Sequence, residues 1–265
     1  MKRFILLVLH YLAVPFVLLS LGFKLIGLKK KWKKFIHDPN AYAPEERYRY
    51  VYSLIKRVLF IKNIKVQATG FNKIPKRPVL FVCNHKSNAD PFVLLKILFE
   101  TQGITFFNFI SKVENKKSKV VNRIADLIET IYIDRGNLRQ QYEVYNEQLN
   151  RLKEQKSIVI YPEMHRIYED KFATFQPAAL RAAFHSFVPI QPVVIYGSSG
   201  LLDKNKQFAS KKRIVYLKAL PMLQHKDFCN SSEAYIAEQL EKSMQAEYDK
   251  MKELDSKNAL KLKEE

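Results

Sequence analysis

The segment Asn84-His85-Lys86-Ser87-Asn88-Ala89-Asp90-Pro91 places a carboxylate five residues after an imidazole. It follows an apolar, β-prone run at 79–83 and precedes a helical pattern that starts near Pro91, so both side chains belong to one strand-to-helix turn. In such a turn the carboxylate can bond one ring nitrogen, fix the tautomer and stabilise the imidazolium. The other nitrogen is then left to take a proton from a hydroxyl. Asp90 is also a favoured helix cap before a proline, so spacing alone leaves a cap and an oriented base both open.

Three further segments carry chemistry or shape. Ile131-Tyr132-Ile133-Asp134-Arg135-Gly136 is a strand pattern ending in charge, where Arg135 could present a bidentate fork to a phosphate or be a solvated turn residue. Ile158-Val159-Ile160-Tyr161-Pro162-Glu163-Met164-His165-Arg166 runs a buried strand into an acid, and an acid near basic residues is costly to bury unless paired. That cost predicts that Glu163 and Arg166 act together. Two prolines bracket the apolar stretch Val188-Pro189-Ile190-Gln191-Pro192, which suits a shaped wall better than a reacting group.

These residues need elements to position them, and the chain supplies an alternation. Strand patterns at 79–83, 104–110, 130–133, 158–161, 188–195 and 214–220 are interleaved with helical patterns at 91–99, 116–128, 138–153 and 177–187. Several strands are apolar at consecutive positions, as in strands buried on both faces. The pattern predicts an α/β fold with a mixed, largely parallel sheet flanked by helices. From Ser231, Ile236, Leu240, Met244, Tyr248 and Met251 recur at intervals of three and four, giving an amphipathic C-terminal helix that is expected to fray beyond about Leu254. The expected organisation is a helical region at 1–65, an α/β domain at 66–230 and the C-terminal helix at 231–265.

Charge is distributed unevenly along the 265 residues. There are 45 Lys and Arg against 26 Asp and Glu, a formal charge of +19. Eight of those cations and no acid fall in the first 34 residues, on either side of the uncharged, Leu-, Val- and Phe-rich stretch 4–23. Twenty such residues can cross a ~30 Å hydrocarbon layer at ~1.5 Å rise each. The stretch is too long for a secretory apolar core, lacks a small-x-small cleavage pattern and runs into a lysine cluster. Pro15 and His10 argue against a straight span, so a spanning helix and an interfacial helix both remain open. In either case residues 29–34, with five lysines and Trp32, would sit at headgroup level beside an anionic membrane. The following domain would then be cytoplasmic. A buried hairpin of core helices would have little use for such a cluster.

Other classes drop out. Two distant cysteines exclude a disulfide scaffold and a four-cysteine zinc site, and the six histidines show no metal-ligand spacing. No Gly-rich phosphate loop, Gly-x-Ser-x-Gly elbow or His-Glu-x-x-His is present. Charge alone would suit a nucleic-acid binder, but no recognition helix or aromatic-interleaved RNA motif accompanies it, so no nucleic-acid partner is expected.

Taken together, the segments resemble the 1-acyl-sn-glycerol-3-phosphate acyltransferase family of glycerolipid acyltransferases, over roughly Gly70 to Pro192. Asn84, His85 and Asp90, with Ser87 and Pro91, match its Asn-His-x4-Asp motif. Ile131 to Arg135 match its strand ending in Asp-Arg, and Val188 to Pro192 match its Val-Pro-Ile-x-Pro stretch. Pro162, Glu163 and Arg166 match its Pro-Glu-Gly-Thr/Ser-Arg motif, but Met164 replaces the glycine and His165 the Thr or Ser. The lysine often found between the last two motifs is missing, with Phe175-Gln176-Pro177 in that region. The family typically has an N-terminal membrane-binding helical segment.

The resemblance implies catalysis by His85 and Asp90, and substrate binding by Asn84, Ser87, Arg135, Glu163 and Arg166, the last three around the phosphate of a lysophosphatidate acceptor. It implies no metal and no organic cofactor, with acyl-CoA or acyl carrier protein as cosubstrate, and a place on the cytoplasmic side of the cell membrane. Another lysophospholipid acceptor, or a non-catalytic peripheral protein that binds anionic lipid, are the alternatives. Met164 in place of glycine would block close backbone approach to a phosphate, and His165 would become cationic at mildly acidic pH. The substitutions therefore leave open an altered acceptor headgroup, acid-strengthened acceptor binding, or an ordinary pocket from which both side chains point away.

Overall fold

The computed structural model describes residues 2–102, 106–203 and 213–264. Helices α1 (Lys2–His37) and α2 (Pro44–Ile61) are followed by β1 (Ile64–Thr69), β2 (Leu80–Cys83), α3 (Asp90–Gln102), β3 (Phe107–Lys112), α4 (Lys119–Leu127) and β4 (Ile131–Ile133). Then come α5 (Leu138–Lys153), β5 (Ser157–Ile160), α6 (Arg181–Ser186), β6 (Ile190–Tyr196), β7 (Arg213–Ala219) and α7 (Glu233–Glu264). The chain divides into two compact units, Met1–Lys65 with Val113–Thr130 and Gln207–Arg213, and Val66–Lys112 with Ile131–Lys206 and Ile214–Glu265.

The first unit is helical. α1 and α2 form an antiparallel hairpin, as the pairs Ser20–Arg57, Lys24–Tyr50 and Lys31–Glu46 show. Gly27 permits this approach, because a Cβ there would lie 2.6 Å from the Tyr50 hydroxyl oxygen. α2 turns Tyr48, Val51, Leu54, Ile55 and Leu59 inward at helical spacing. Its buried Arg47 donates to Leu127 O at 2.7 Å and pairs with Glu129 at 3.3 Å. Pro15 lies inside α1 without ending it. Trp32, expected at headgroup level, donates its indole N–H to Asp126 Oδ2 at 2.7 Å, and Lys31 of the lysine cluster pairs with Glu46. The other face of α1 exposes Leu9, Leu12, Phe16, Leu19, Phe23 and Ile26, an apolar stripe at spacings of three and four. α1 is long and apolar enough to cross a membrane by length and composition.

The second unit carries most of the seven-stranded sheet, whose order is β1-β7-β6-β2-β5-β3-β4. β6-β2-β5-β3-β4 are mutually parallel and β7 is antiparallel to β6, which makes the sheet mixed and largely parallel as expected. β2 is buried at every residue, as a central strand of a parallel sheet must be. Burying each large apolar side chain in it contributes about 1.5–3 kcal/mol. Leu80, Val82, Ile158, Ile190 and Val194 pack with Val144 and Leu152 of α5, Ala182 of α6, and Ile236, Leu240, Met244 and Tyr248 of α7.

Several boundaries differ from the sequence expectation. β3 begins at Phe107, and the start of the run expected from residue 104 lies outside the described residues. The helix expected at 177–187 is a 3-10 turn, Pro177–Ala179, followed by α6, and Phe187 closes it in the left-handed region at φ 56°. α7 continues past Leu254 to Glu264, through a stretch that contains neither Gly nor Pro. β1, absent from the strand patterns expected, alternates buried or half-buried positions (Ile64, Val66, Ala68) with exposed ones (Lys65, Gln67, Thr69).

Candidate active site

Parallel pairing puts the C-terminal ends of β2, β5 and β6 side by side on one edge of the sheet, with Val82 level with both Ile160 and Pro192. The Asn84–Asp90 turn leaves β2 there, and the Tyr161–Arg166 loop leaves its neighbour β5. His85 Nδ1 lies 2.9 Å from Asp90 Oδ2. The same carboxylate oxygen accepts from the backbone N–H groups of Lys86 and Ser87 at 2.7 Å each, and Oδ1 accepts from Ser87 Oγ at 3.1 Å. Asp90 is fully buried. A carboxylate that receives this many donors is an acceptor, which assigns the proton to Nδ1 and leaves the His85 Nε2 lone pair available.

The geometry also distinguishes a cap from an orienting acid. The amides of Phe92 and Val93 in the first turn of α3 go to Ala89 O. Asp90 turns its carboxylate back to His85, Lys86 and Ser87 instead.

Glu163 is almost fully buried, and its partners are not those expected. Its Oε1 accepts from the backbone N–H of His85 at 2.6 Å and its Oε2 from that of Ala173 at 3.1 Å. Burial pushes its carboxyl above the usual glutamate range, while the two backbone donors and the Lys86 ammonium pull it back. Arg166 pairs with Asp203 at 2.8 Å, so the predicted Glu163–Arg166 partnership is replaced by two separate contacts. His85 is gripped at both main-chain ends, since its carbonyl accepts from Ile167 N at 3.0 Å.

Asn84 and Ser87 were expected to touch substrate. Instead, the Asn84 amide exchanges two hydrogen bonds with the backbone of Ile195, at 2.9 and 2.7 Å, stitching the end of β2 to β6. Ser87 is buried and spends its hydroxyl on Asp90 and on the Ala89 N–H. Both are therefore builders of the turn. Arg135 follows β4, three strand positions from β2, about 14 Å across the sheet at ~4.8 Å per strand. The structure thus groups His85, Asp90, Ser87 and Glu163, turns Arg166 of the Glu163 loop to Asp203 and starts Arg135 farther along the same edge.

Residues 65–196 match the family model described as Acyltransferase. A probable 1-acyl-sn-glycerol-3-phosphate acyltransferase of Mycoplasma genitalium is 36% identical over 205 residues, 77% of this chain and 76% of that protein. The chain belongs to the 1-acyl-sn-glycerol-3-phosphate acyltransferase family. A probable enzyme of the same name in Mycoplasma pneumoniae is 35% identical over 77% of each chain. The crystal structure of the 1-acyl-sn-glycerophosphate acyltransferase PlsC of Thermotoga maritima shares the fold. It matches with TM-score 0.64 and 23% identity over 95% of this chain and 98% of that one.

In this acyltransferase Met164, at the position where the family usually has glycine, adopts φ 64°. Only glycine populates that left-handed region freely, which gives the family preference a backbone cause. His165 is exposed, and its N–H closes the turn onto Glu163 O at 2.7 Å.

Two residues of the site carried no motif signal. Tyr161 stacks on the His85 ring with centroids 4.4 Å apart, and its only sequence cue is an aromatic at the exit of β5. Lys86 is buried, with Nζ donating to Glu169 O at 2.6 Å and Lys171 O at 3.1 Å and lying 4.8 Å from the Phe172 ring centroid. Burial lowers its affinity for a proton, opposed by Glu163 and three aspartate or glutamate neighbours. Among the described residues, no three His, Cys, Asp or Glu side chains gather as a metal site would need.

Proposed function

We propose that the protein moves a fatty acyl group from a thioester donor, acyl-CoA or acyl carrier protein, to the free hydroxyl of a lysophosphatidate, making phosphatidic acid. The 2.9 Å contact between His85 Nδ1 and Asp90 Oδ2 carries this reading, because it leaves Nε2 as a base on a ring that cannot change tautomer cheaply. Nε2 takes the acceptor proton as the oxygen attacks the thioester carbonyl. The tetrahedral adduct collapses, the C–S bond breaks, and the imidazolium returns the proton to the thiolate. No acyl-enzyme is required, since the acceptor oxygen is the nucleophile. Arg166 and Arg135 hold the acceptor phosphate by charge-assisted hydrogen bonds, and the two Mycoplasma relatives, named for the same acceptor, support that choice. Neither a metal nor an organic cofactor has a part in these steps.

The enzyme works at the cytoplasmic side of the cell membrane, held by the α1 stripe and by basic residues that favour anionic lipid. The +19 charge also favours either donor, both being anionic. The test is a matrix of two donors, acyl-CoA and acyl carrier protein, against lysophosphatidate, glycerol 3-phosphate and lysophosphatidylcholine, read as labelled product. Lysophosphatidate should be the preferred acceptor with at least one donor. Preference for an acceptor without a phosphomonoester would redirect the assignment.

A further inference from the structure

Asp203 lies seven residues past Tyr196, the last residue of β6, in a stretch with no motif. Its Oδ1 accepts from Asn88 Nδ2 and from Arg166 Nη1, each at 2.8 Å. Asn88 belongs to the His-x4-Asp turn and Arg166 to the loop after β5, so one carboxylate oxygen ties a residue of each motif together. Asn88 Nδ2 also donates to Leu202 O at 3.3 Å, and Ser199 Oγ donates to Tyr168 O at 3.3 Å. The Asp203 side chain is 14% exposed and that of Arg166 36%.

We propose that Asp203 is a positioning residue of the acceptor site, holding Arg166 by one nitrogen so that the rest of its guanidinium fork is free for the acceptor phosphate. This rests on the acceptor reading given above. A partly exposed ion pair adds little to stability, so stability alone does not account for the arrangement. An unrestrained arginine loses much rotamer freedom when it grips a ligand, and one already held in the folded protein loses less. A carboxylate that merely stood in for phosphate would be released by it. Asp203 is instead anchored by Asn88 independently of Arg166, so it stays and orients.

The test measures lysophosphatidate saturation for the full chain and for Asp203→Asn, Arg166→Gln and the double variant. Calorimetric titration with a short-chain lysophosphatidate below its micelle concentration accompanies it. Asp203→Asn should raise the acceptor KM and the titrated Kd about tenfold, with kcat and donor KM within about twofold. In the Arg166→Gln background it should add less than about twofold, because its effect passes through Arg166. Unchanged or tighter acceptor binding in Asp203→Asn, or full additivity in the double variant, overturns the proposal; tighter binding would mark Asp203 as a competitor for the phosphate. Should Asp203→Asn unfold, Arg166→Gln alone decides, and a normal acceptor constant there refutes the assignment. A wild-type chain that makes no phosphatidate fails the functional reading. The calorimetric arm still judges this proposal, which falls if wild type does not bind the lipid phosphate.

Discussion

Glu163 Oε1 accepts the backbone N–H of His85 at 2.6 Å, so the acid of one motif holds the imidazole of another by its main chain. The contact relates two adjacent parallel strands, since His85 follows β2 and Glu163 follows β5. A carboxylate buried in this way supports the proposed base without needing to reach a substrate.

Glu163→Gln should therefore act on kcat. A glutamine can present an oxygen to only one of the two N–H groups, His85 or Ala173, and turns an N–H toward the other. An unsatisfied buried donor of this kind costs about 1–3 kcal/mol. Steady-state kinetics with thermal unfolding should show kcat lowered about 10- to 100-fold in a folded protein. A rise in acceptor KM with kcat intact would return Glu163 to the phosphate.

The raised carboxyl of Glu163 also makes stability depend on pH. In the unfolded chain this group ionises near the ordinary value of about 4.3. Between that value and the higher native one, the native state holds the extra proton, and stability falls as pH rises. The contribution is fully present below the window and lost above it. Denaturant unfolding of wild type and Glu163→Gln across this window should show a difference that declines with rising pH; a flat difference would mean that burial does not perturb the group.

Met164→Gly should stabilise the fold by about 0.5–1 kcal/mol, relief of left-handed strain outweighing the entropy of a new glycine. Met164→Val should destabilise it, because a β-branched residue fits that conformation worst. Chemical denaturation reads both, and equal stability for Gly and Val would show that φ is not held there.

The fold class was legible in the sequence because β2, residues 158–160 of β5 and residues 193–195 of β6 are consecutive apolar positions, the signature of doubly covered strands. β1 was not, because Ile64–Thr69 alternates and a reading keyed to apolar runs passes over a half-buried strand. The His85–Asp90 pair was readable because both residues lie in one short turn. Partners far apart in the chain were not: Glu163 with His85, Asn84 with Ile195 and Asp203 with Arg166 exist only through strand order. Motif spacing singled out the residues of the turn, and topology shows where Asn84 and Ser87 place their hydrogen bonds.

The stripe on α1 predicts how the chain meets lipid. Replacing Leu12, Phe16, Leu19 and Phe23 by serine removes exposed apolar groups worth about 1.5–3 kcal/mol each on burial, while leaving buried Leu28 and Phe35 in place. Vesicle flotation should fall at least about tenfold, with the circular dichroism spectrum unchanged. Undiminished flotation would place the anchor elsewhere.

The most direct measurement is the rate of phosphatidate formation by purified His85→Ala against wild type, at saturating lysophosphatidate and acyl donor and with folding checked by thermal unfolding. The proposed mechanism predicts a loss of about 10²–10⁴-fold in a protein that unfolds at nearly the wild-type temperature. Activity within a few-fold of wild type would contradict His85 as the base.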